Sequence, residues 1–296
     1  MKIRSKIIVI AGPTASGKSS LAVKLAKKFD GEVISADSRQ VYREMNIGTG
    51  KITKKEMAKI PHHLLDVANP KNQFTVVQYK KLAEKAIKKI IANKKVPFIC
   101  GGTGFYIQSI TENISIPKIK PDAKLRAVLE KKSTKELFAQ VKKSDPQRAE
   151  NIDENNRRRL IRALEIIIKS GKKVPPLKFE PKYESLIIGV KRDAKKLKES
   201  IKIRLLKRLK MGMVKEVINL KKSGLSWKRL EDFGLEYRYI AYYLQNKLSY
   251  DEMISKLQKE IEHYAKRQMT WFSKNKKIAW VKNQSDAQKK IRAFLS

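Results

Sequence analysis

The chain is poor in the residues that build disulfides and metal centres. It holds one cysteine, Cys100, and three histidines among 296 residues. A lone thiol excludes a disulfide framework and a cysteine-based zinc site, and it fits a reducing compartment, so a cytoplasmic location is expected. Long apolar runs are missing as well. No stretch approaches the ~18 apolar residues that cross a bilayer, and no membrane partner is expected. Residues 1–10 have the charged start and apolar continuation of a secretory leader. However, the apolar run is short and ends in a glycine-rich turn, which excludes that reading. There are no internal repeats and no low-complexity linker. Acidic side chains are scarce too: 29 Asp and Glu face 68 Lys and Arg, a formal net charge of +39.

So large a positive excess repels itself, and a polyanionic partner such as nucleic acid is its usual counterweight. Compositional drift toward lysine on solvated helix faces is the competing explanation. The charge is spread along the chain, so it does not locate a binding face. Nothing suggests an extended apolar interface, and a monomer is expected.

Residues 7–11, 32–36, 64–67 and 96–100 are short apolar runs that predict strands, while 19–29 and 75–93 predict helices. Within 75–93, Val76, Val77, Leu82, Ala83, Ala86, Ile87 and Ile90 keep helical spacing with lysines opposite. Strands alternating with helices predict an α/β fold, a parallel sheet flanked by helices. Residues 185–190 read as a late strand returning to that sheet, 277–282 as a short final strand and 285–295 as a closing helix. Between them the rhythm is lost. Helical segments at 122–132, 134–142 and 155–169 are separated by Pro117, Pro121, Pro146 and the Pro175-Pro176 break. This predicts a core of residues 1–110 and 185–296 interrupted by a mainly helical insertion, 111–184. Residues 193–273 read as helical, punctuated by Gly212, Gly224 and Gly234.

The strongest motif is Gly12-Pro13-Thr14-Ala15-Ser16-Gly17-Lys18-Ser19, a complete GxxxxGK[ST] phosphate loop between a strand and a helix. The glycines let backbone N–H groups converge on phosphate oxygens. The helix start adds its positive end, Lys18 a point charge, and Ser19 a hydroxyl for Mg²⁺. The motif identifies a di- or triphosphate site and not its chemistry. Asp37 ends the second strand at the carboxyl edge, where open α/β sheets bind ligands. Two readings stand there: a metal ligand or general base, or the N-cap of a helical-looking stretch at 39–45. Gly101-Gly102-Thr103-Gly104 leaves another strand at the same edge and could admit a substrate closely. An ordinary P-loop ATPase carries an acidic residue at such a strand end to hold Mg²⁺. Its absence here favours a transferase in which diphosphate leaves an organic group.

His62 and His63 are adjacent on an extended segment, point to opposite sides and make a poor metal pair, so a structural hydrogen bond near the site is favoured. Arg158 and Arg162, at i and i+4, share a helix face that could grip RNA phosphates, or that could simply pair with Glu154 and Glu165. In residues 191–210 ten of twenty side chains are basic, around an apolar stripe of Leu197, Ile201, Leu205 and Leu209. Residues 263–272 interleave aromatic and basic groups, as RNA-binding surfaces do and as an amphipathic helix also can.

Taken together these segments resemble one family. The phosphate loop, Asp37-Ser38-Arg39-Gln40-Val41-Tyr42-Arg43, Ile47-Gly48-Thr49, Pro61-His62-His63-Leu64-Leu65-Asp66, Gly101-Gly102-Thr103-Gly104-Phe105-Tyr106, residues 158–165 and residues 264–272 are similar to the tRNA dimethylallyltransferases across nearly the whole chain. The resemblance implies a P-loop NTPase-like fold. It also implies transfer of a dimethylallyl group from dimethylallyl diphosphate to the exocyclic amine of the adenine 3′ of the anticodon, in tRNAs reading codons that begin with U. It implies Asp37 as general base, Thr103 in the reaction channel, and Gly12 to Ser19 with Mg²⁺ holding the departing diphosphate, with Arg204 near it. The tRNA anticodon stem-loop would meet Asp37, Ser38, Arg39, Gln40, Thr103, Arg126 and Arg158-Arg159-Leu160-Ile161-Arg162.

Gly234-Leu235-Glu236-Tyr237 departs from the family's commoner Gly-Tyr-Lys-Glu, and Ser200 replaces a frequent arginine. The chain also lacks the cysteines of the zinc module that eukaryotic relatives append, and so resembles the short bacterial form. Rival readings are a free-adenine-nucleotide isopentenyltransferase, a P-loop small-molecule kinase and a non-catalytic RNA-binding protein.

Overall fold

The computed structural model describes residues 4–117, 119–176 and 178–296. The first three residues, part of the charged start weighed above, lie outside the described residues. Six strands, β1 (Lys6–Ala11), β2 (Gly31–Ser35), β3 (His62–His63), β4 (Val96–Gly101), β5 (Glu184–Val190) and β6 (Ile278–Val281), form one sheet in the order β3-β2-β4-β1-β5-β6. Every pairing is parallel. β1 therefore lies in the middle of the sheet, and both its faces must be covered, which is why it reads as an unbroken apolar run. Ile7, Val9 and Ala11 face one core with Ile34, Ile99 and Ile187, while Ile8 and Ile10 face the other with Val33, Phe98 and Ile188.

Helices α1 (Lys18–Lys28), α2 (Lys54–Met57), α3 (Val76–Ala92) and α4 (Gly104–Thr111) connect the first strands. Thr75 starts α3 with a capping box, accepting from the Gln78 amide while the Gln78 side chain accepts from its own. Tyr79, Ala83, Ala86, Ile87 and Ile90 then bury one stripe on the sheet.

Two compact units result: Met1–Asn113 with Pro181–Ser296, and Ile114–Glu180. The boundaries thus fall at 113/114 and 180/181, a few residues inside the 111–184 segment read from the sequence. The smaller unit contains α5 (Ala123–Glu130), α6 (Thr134–Ser144), α7 (Pro146–Glu150) and α8 (Arg157–Ser170) around Leu129, Leu137, Val141, Leu160 and Leu164. The larger unit resumes with α9 (Ala194–Lys210), α10 (Met213–Lys222), α11 (Trp227–Phe233), α12 (Leu235–Leu244), α13 (Tyr250–Ser273) and α14 (Gln284–Leu295). Ile201 and Leu205 of α9 pack with Met213, Val217, Tyr237, Ile240, Leu257 and Ile261 in a third core of that unit.

Three local expectations are corrected. Residues 64–67 are not a strand: pairing stops at His63, because Leu64 (φ 64°) and Asp66 (φ 57°) turn the chain out of the sheet. Residues 39–45 are turns and not a helix, so Asp37 caps no helix. Residues 146–150, read as part of the gap between two helical segments, form a short helix that Pro146 opens. This proline occupies the first turn of α7, where no amide donor is needed, and the Asp145 carboxylate caps that turn at the Arg148 amide (3.1 Å).

A candidate active site at the carboxyl edge of the sheet

The strand order places the ends of β2, β4 and β1 side by side, and those ends carry Asp37, the Gly101–Gly104 turn and the phosphate loop. Hydrogen bonds tie the first two together. The Thr103 amide donates to the Ala36 carbonyl (3.1 Å), and the Thr103 hydroxyl accepts from the Ser38 amide (3.0 Å). Asp37 and Thr103 thus belong to one turn assembly. Asp37 Oδ1 accepts from the Arg39 amide (2.9 Å) and more distantly from Gln40 (3.4 Å), an Asx-type turn that fixes the carboxylate's direction.

In the phosphate loop Gly17 adopts φ 89°, where a side chain would be strained, and opens α1 without a side-chain cap. The first amides of α1 are therefore left for an anion. Ser16 is 8% exposed and its hydroxyl has no hydrogen-bond partner among the described residues, a buried polar atom that a phosphate oxygen would satisfy. Lys18 Nζ donates to the Pro13 carbonyl (3.1 Å), folded back over the loop. Burial pulls its ammonium below the usual lysine range. The negative fields of Cys100 and Asp37 oppose that shift, and Arg204 adds to it. Lys18, Asp37 and Arg204 thus share one electrostatic neighbourhood. The Cys100 thiol at the end of β4 is pushed up to about 11 by burial, against Lys18 and a hydrogen bond from Ser19, and is unreactive there.

Arg204 reaches the site from α9 and donates to the Gly50 carbonyl (3.2 Å). Burial and the adjacent Arg208 charge weaken its hold on its proton, while Glu236 and Asp37 strengthen it. The loop that receives it, residues 46–50, is clamped by groups without an assigned role in the sequence reading. The Glu216 carboxylate accepts from the amides of Asn46 (2.8 Å), Ile47 (2.7 Å) and Gly48 (3.0 Å) and from the Tyr237 hydroxyl (2.8 Å). Arg208 donates to the Gly48 carbonyl (2.8 Å) and pairs with Glu236 (3.0 Å). Two residues of the segment that departs from the commoner family pattern, Glu236 and Tyr237, therefore serve the site's framework. Ser200 bonds its own helix at the Lys196 carbonyl (2.7 Å).

The other expected contacts divide by availability. Ser38 and Arg39 are half-buried beside Asp37, with the Arg39 guanidinium 5.8 Å from the Phe233 ring centre. The Gln40 amide donates to the Thr49 and Gly50 carbonyls, so its side chain holds the 46–50 loop. His62 bonds the Ile60 carbonyl (2.8 Å). His63 bonds Glu32 (2.7 Å) at the start of β2, away from the carboxyl edge where a partner was expected.

In the smaller unit, Arg158 and Arg159 are exposed, whereas Leu160 and Ile161 are core residues whose side chains face inward. Arg158 and Arg162 do not act as a matched pair. Arg162 donates to Glu165 and to the Ile119 carbonyl (2.8 Å), and Arg126 grips Glu165 with two bonds of 2.8 Å. The expected pairing with Glu165 is present for Arg162, and Arg126 joins it there. Burial alone would push the Glu165 carboxyl up, but Arg126, the Asp122 amide and Arg162 outweigh it and hold it down to about 2. Its folded value lies below its ordinary 4.5, so its contribution is fully present above that value and is lost as pH falls toward 2. Glu165→Ala is expected to cost about 3 kcal/mol, near the low end for a broken buried pair because both guanidiniums retain some solvent. Amide exchange in residues 123–170 should accelerate while the sheet stays protected.

Among the described residues no group of three or more His, Cys, Asp or Glu is arranged to hold a metal, and no helix is long and apolar enough to cross a membrane. Comparison with known proteins converges on one family. The family model for IPP transferase matches residues 40–275. A tRNA dimethylallyltransferase of Thermoanaerobacter sp. (strain X514) is 39% identical, covering 98% of both chains. That of Caldanaerobacter subterraneus subsp. tengcongensis is 40% identical over 93% of this chain and 91% of its own. Among solved structures, the tRNA isopentenylpyrophosphate transferase of Bacillus halodurans superposes with a TM-score of 0.74 at 33% identity, covering 99% of this chain and 96% of that one. A eukaryotic dimethylallyltransferase acting on tRNA gives 0.78 at 29% identity, over 90% of this chain and 70% of that one. With the phosphate loop, the Asp37–Thr103 turn assembly and full-length similarity all in agreement, this chain belongs to the IPP transferase family.

Proposed function

We propose that the protein transfers a dimethylallyl group from dimethylallyl diphosphate to the exocyclic amine of the adenine immediately 3′ of the anticodon, in tRNAs reading codons that begin with U. The observation that carries this reading is the juxtaposition at one sheet edge of the anion loop, whose Ser16 hydroxyl has no partner among the described residues, and the Asp37 carboxylate, held to the β4 turn by the bond from Ser38 to Thr103. An allylic carbon–oxygen bond ionises when charge building on the diphosphate is stabilised. The loop amides, Lys18 and Arg204 supply that stabilisation in a partly desolvated site. An exocyclic adenine amine is a weak nucleophile. Asp37 accepts its hydrogen bond and takes its proton as the new carbon–nitrogen bond forms, and Thr103 fixes the turn that aims the carboxylate.

The donor set also fits a magnesium ion. Ser19 offers an exposed hydroxyl at the start of α1, beside the amides that would take the phosphates. When bound, Mg²⁺ would neutralise charge on the departing diphosphate. The target base is stacked in the anticodon loop and must be extruded, at roughly a few kcal/mol. The net charge of +39, with Arg158 and Arg159 exposed on the insertion, supports a phosphate-gripping surface that offsets this cost.

The test is incubation with dimethylallyl diphosphate and unmodified tRNA, followed by mass spectrometry of the digested nucleosides. A prenylated adenosine with released diphosphate, without ATP, is the expected result. Prenylation of AMP but not tRNA would move the reading to free nucleotides, and phosphoryl transfer from ATP would overturn it.

A further inference from the structure

Gln268 lies on α13, more than 250 residues along the chain from the phosphate loop, yet its side chain is 6% exposed and both ends of its amide are spent at the site. Oε1 accepts from the Thr14 amide (2.8 Å) and Nε2 donates to the Gly102 carbonyl (2.9 Å). The partners fix the amide's orientation, because one is a donor and the other an acceptor. The fit leaves no slack: a Cβ on Gly102 would stand 2.2 Å from Nε2. The same helix presents neighbouring side chains to the same edge. Burial raises the Tyr264 phenol, with the field of Asp37 adding and that of Arg39 opposing. Trp271 leaves no room for a side chain at Gly104. Phe272 is buried in the core that faces β1.

We infer that Gln268 is a positioning residue that sets the distance between the diphosphate loop and the acceptor turn. The loop holds the leaving group, and the Gly102–Thr103 turn holds Asp37 through Ser38, so the span between them is the path the allylic carbon must cross. No backbone hydrogen bond joins Thr14 directly to Gly102 among the described residues. The amide of Gln268 bridges them, and the rigidity of a 24-residue helix stands behind it. Gln268 bonds neither Lys18, Arg204 nor Asp37, so loss of the bridge should leave binding largely intact and degrade the alignment of the reacting atoms. The inference rests on the transfer activity proposed above.

Gln268→Met keeps the length and removes both bonds. Gln268→Glu keeps the bond to Thr14 and sets a carboxylate oxygen against the Gly102 carbonyl. Steady-state transfer to tRNA and calorimetric binding of pyrophosphate are measured on both variants, with thermal melting as a check of folding. For each variant kcat is expected to fall on the order of 10²-fold, while pyrophosphate affinity for Gln268→Met stays within about threefold, because misplacement of about 1 Å costs that much in rate. An unchanged kcat in both variants would overturn the inference, as would a loss of kcat that only tracks the unfolded fraction. Failure of the unmodified protein to prenylate tRNA would instead overturn the activity itself, so the two failures are distinguishable.

Discussion

Asp37→Asn is expected to lower kcat on the order of 10³-fold, within the range of a lost general base, while leaving pyrophosphate affinity nearly unchanged. The substitution is informative because the turn survives it. Asp37 Oδ1 accepts from the Arg39 and Gln40 amides, and an asparagine oxygen can occupy that place without altering the backbone. The other carboxylate oxygen then becomes an NH₂ group. An acceptor aimed at the adenine amine is replaced by a donor, two donors face each other, and nothing can take the proton. Single-turnover transfer with saturating tRNA and donor separates this from weakened binding. A kcat within tenfold of the parent would remove Asp37 from the chemistry.

The second large effect is expected at Lys18. Its ammonium folds back on the Pro13 carbonyl and shares the field of Asp37 and Arg204. When diphosphate arrives, the charge can swing onto phosphate oxygens that gain negative charge as the allylic bond breaks. Lys18→Met is expected to reduce kcat on the order of 10²–10³-fold, the usual cost of removing one such stabilising group. Stability should move the other way. Burial depresses the folded pKa of this amine, so the charged form is disfavoured by folding, and a methionine of similar shape removes that penalty. A thermal melt that rises or holds while turnover collapses is the expected pair of results. A melt that falls steeply would make Lys18 a structural residue.

Much of this site was legible before any coordinates, and what was not has physical reasons. The phosphate loop carries its own context, a buried strand before it and a helix after it, so residues 12–19 needed no tertiary information. The carboxyl-edge placement of Asp37 and Gly101-Gly102-Thr103 followed from strand ends. That these ends neighbour one another depends on the order β2-β4-β1, which no local pattern encodes. The turn at 39–45 looked helical because its apolar spacing fits a helix. Its Val41, Tyr42 and Met45 instead fill the third core of the larger unit as an irregular segment.

Arg126 and Arg162 illustrate a different limit. A basic residue intended for RNA and one held by a buried carboxylate are identical in sequence, and only the burial of Glu165 (0% exposed) separates them. Gln268 and Glu216 were beyond reach for a related reason. Each is an ordinary polar residue at a helical position, and its importance lies in backbone amides or carbonyls brought to it by distant segments. A glutamine buried on an otherwise amphipathic helix, within a stretch matching a known family, was the available signal for Gln268.

The helix that carries Gln268 leaves the ribosome well after the strands that form the site. By the time α8 has emerged, translation has already supplied β1, β2 and β4 with their loops, and with them the whole anion cradle and the Asp37 turn. Yet a nascent chain at that stage has no bridge between Thr14 and Gly102 and no Arg204. Prenylation should therefore switch on only once α13 has been made, and a polypeptide truncated upstream of α13 should be inert toward tRNA however well its early strands assemble.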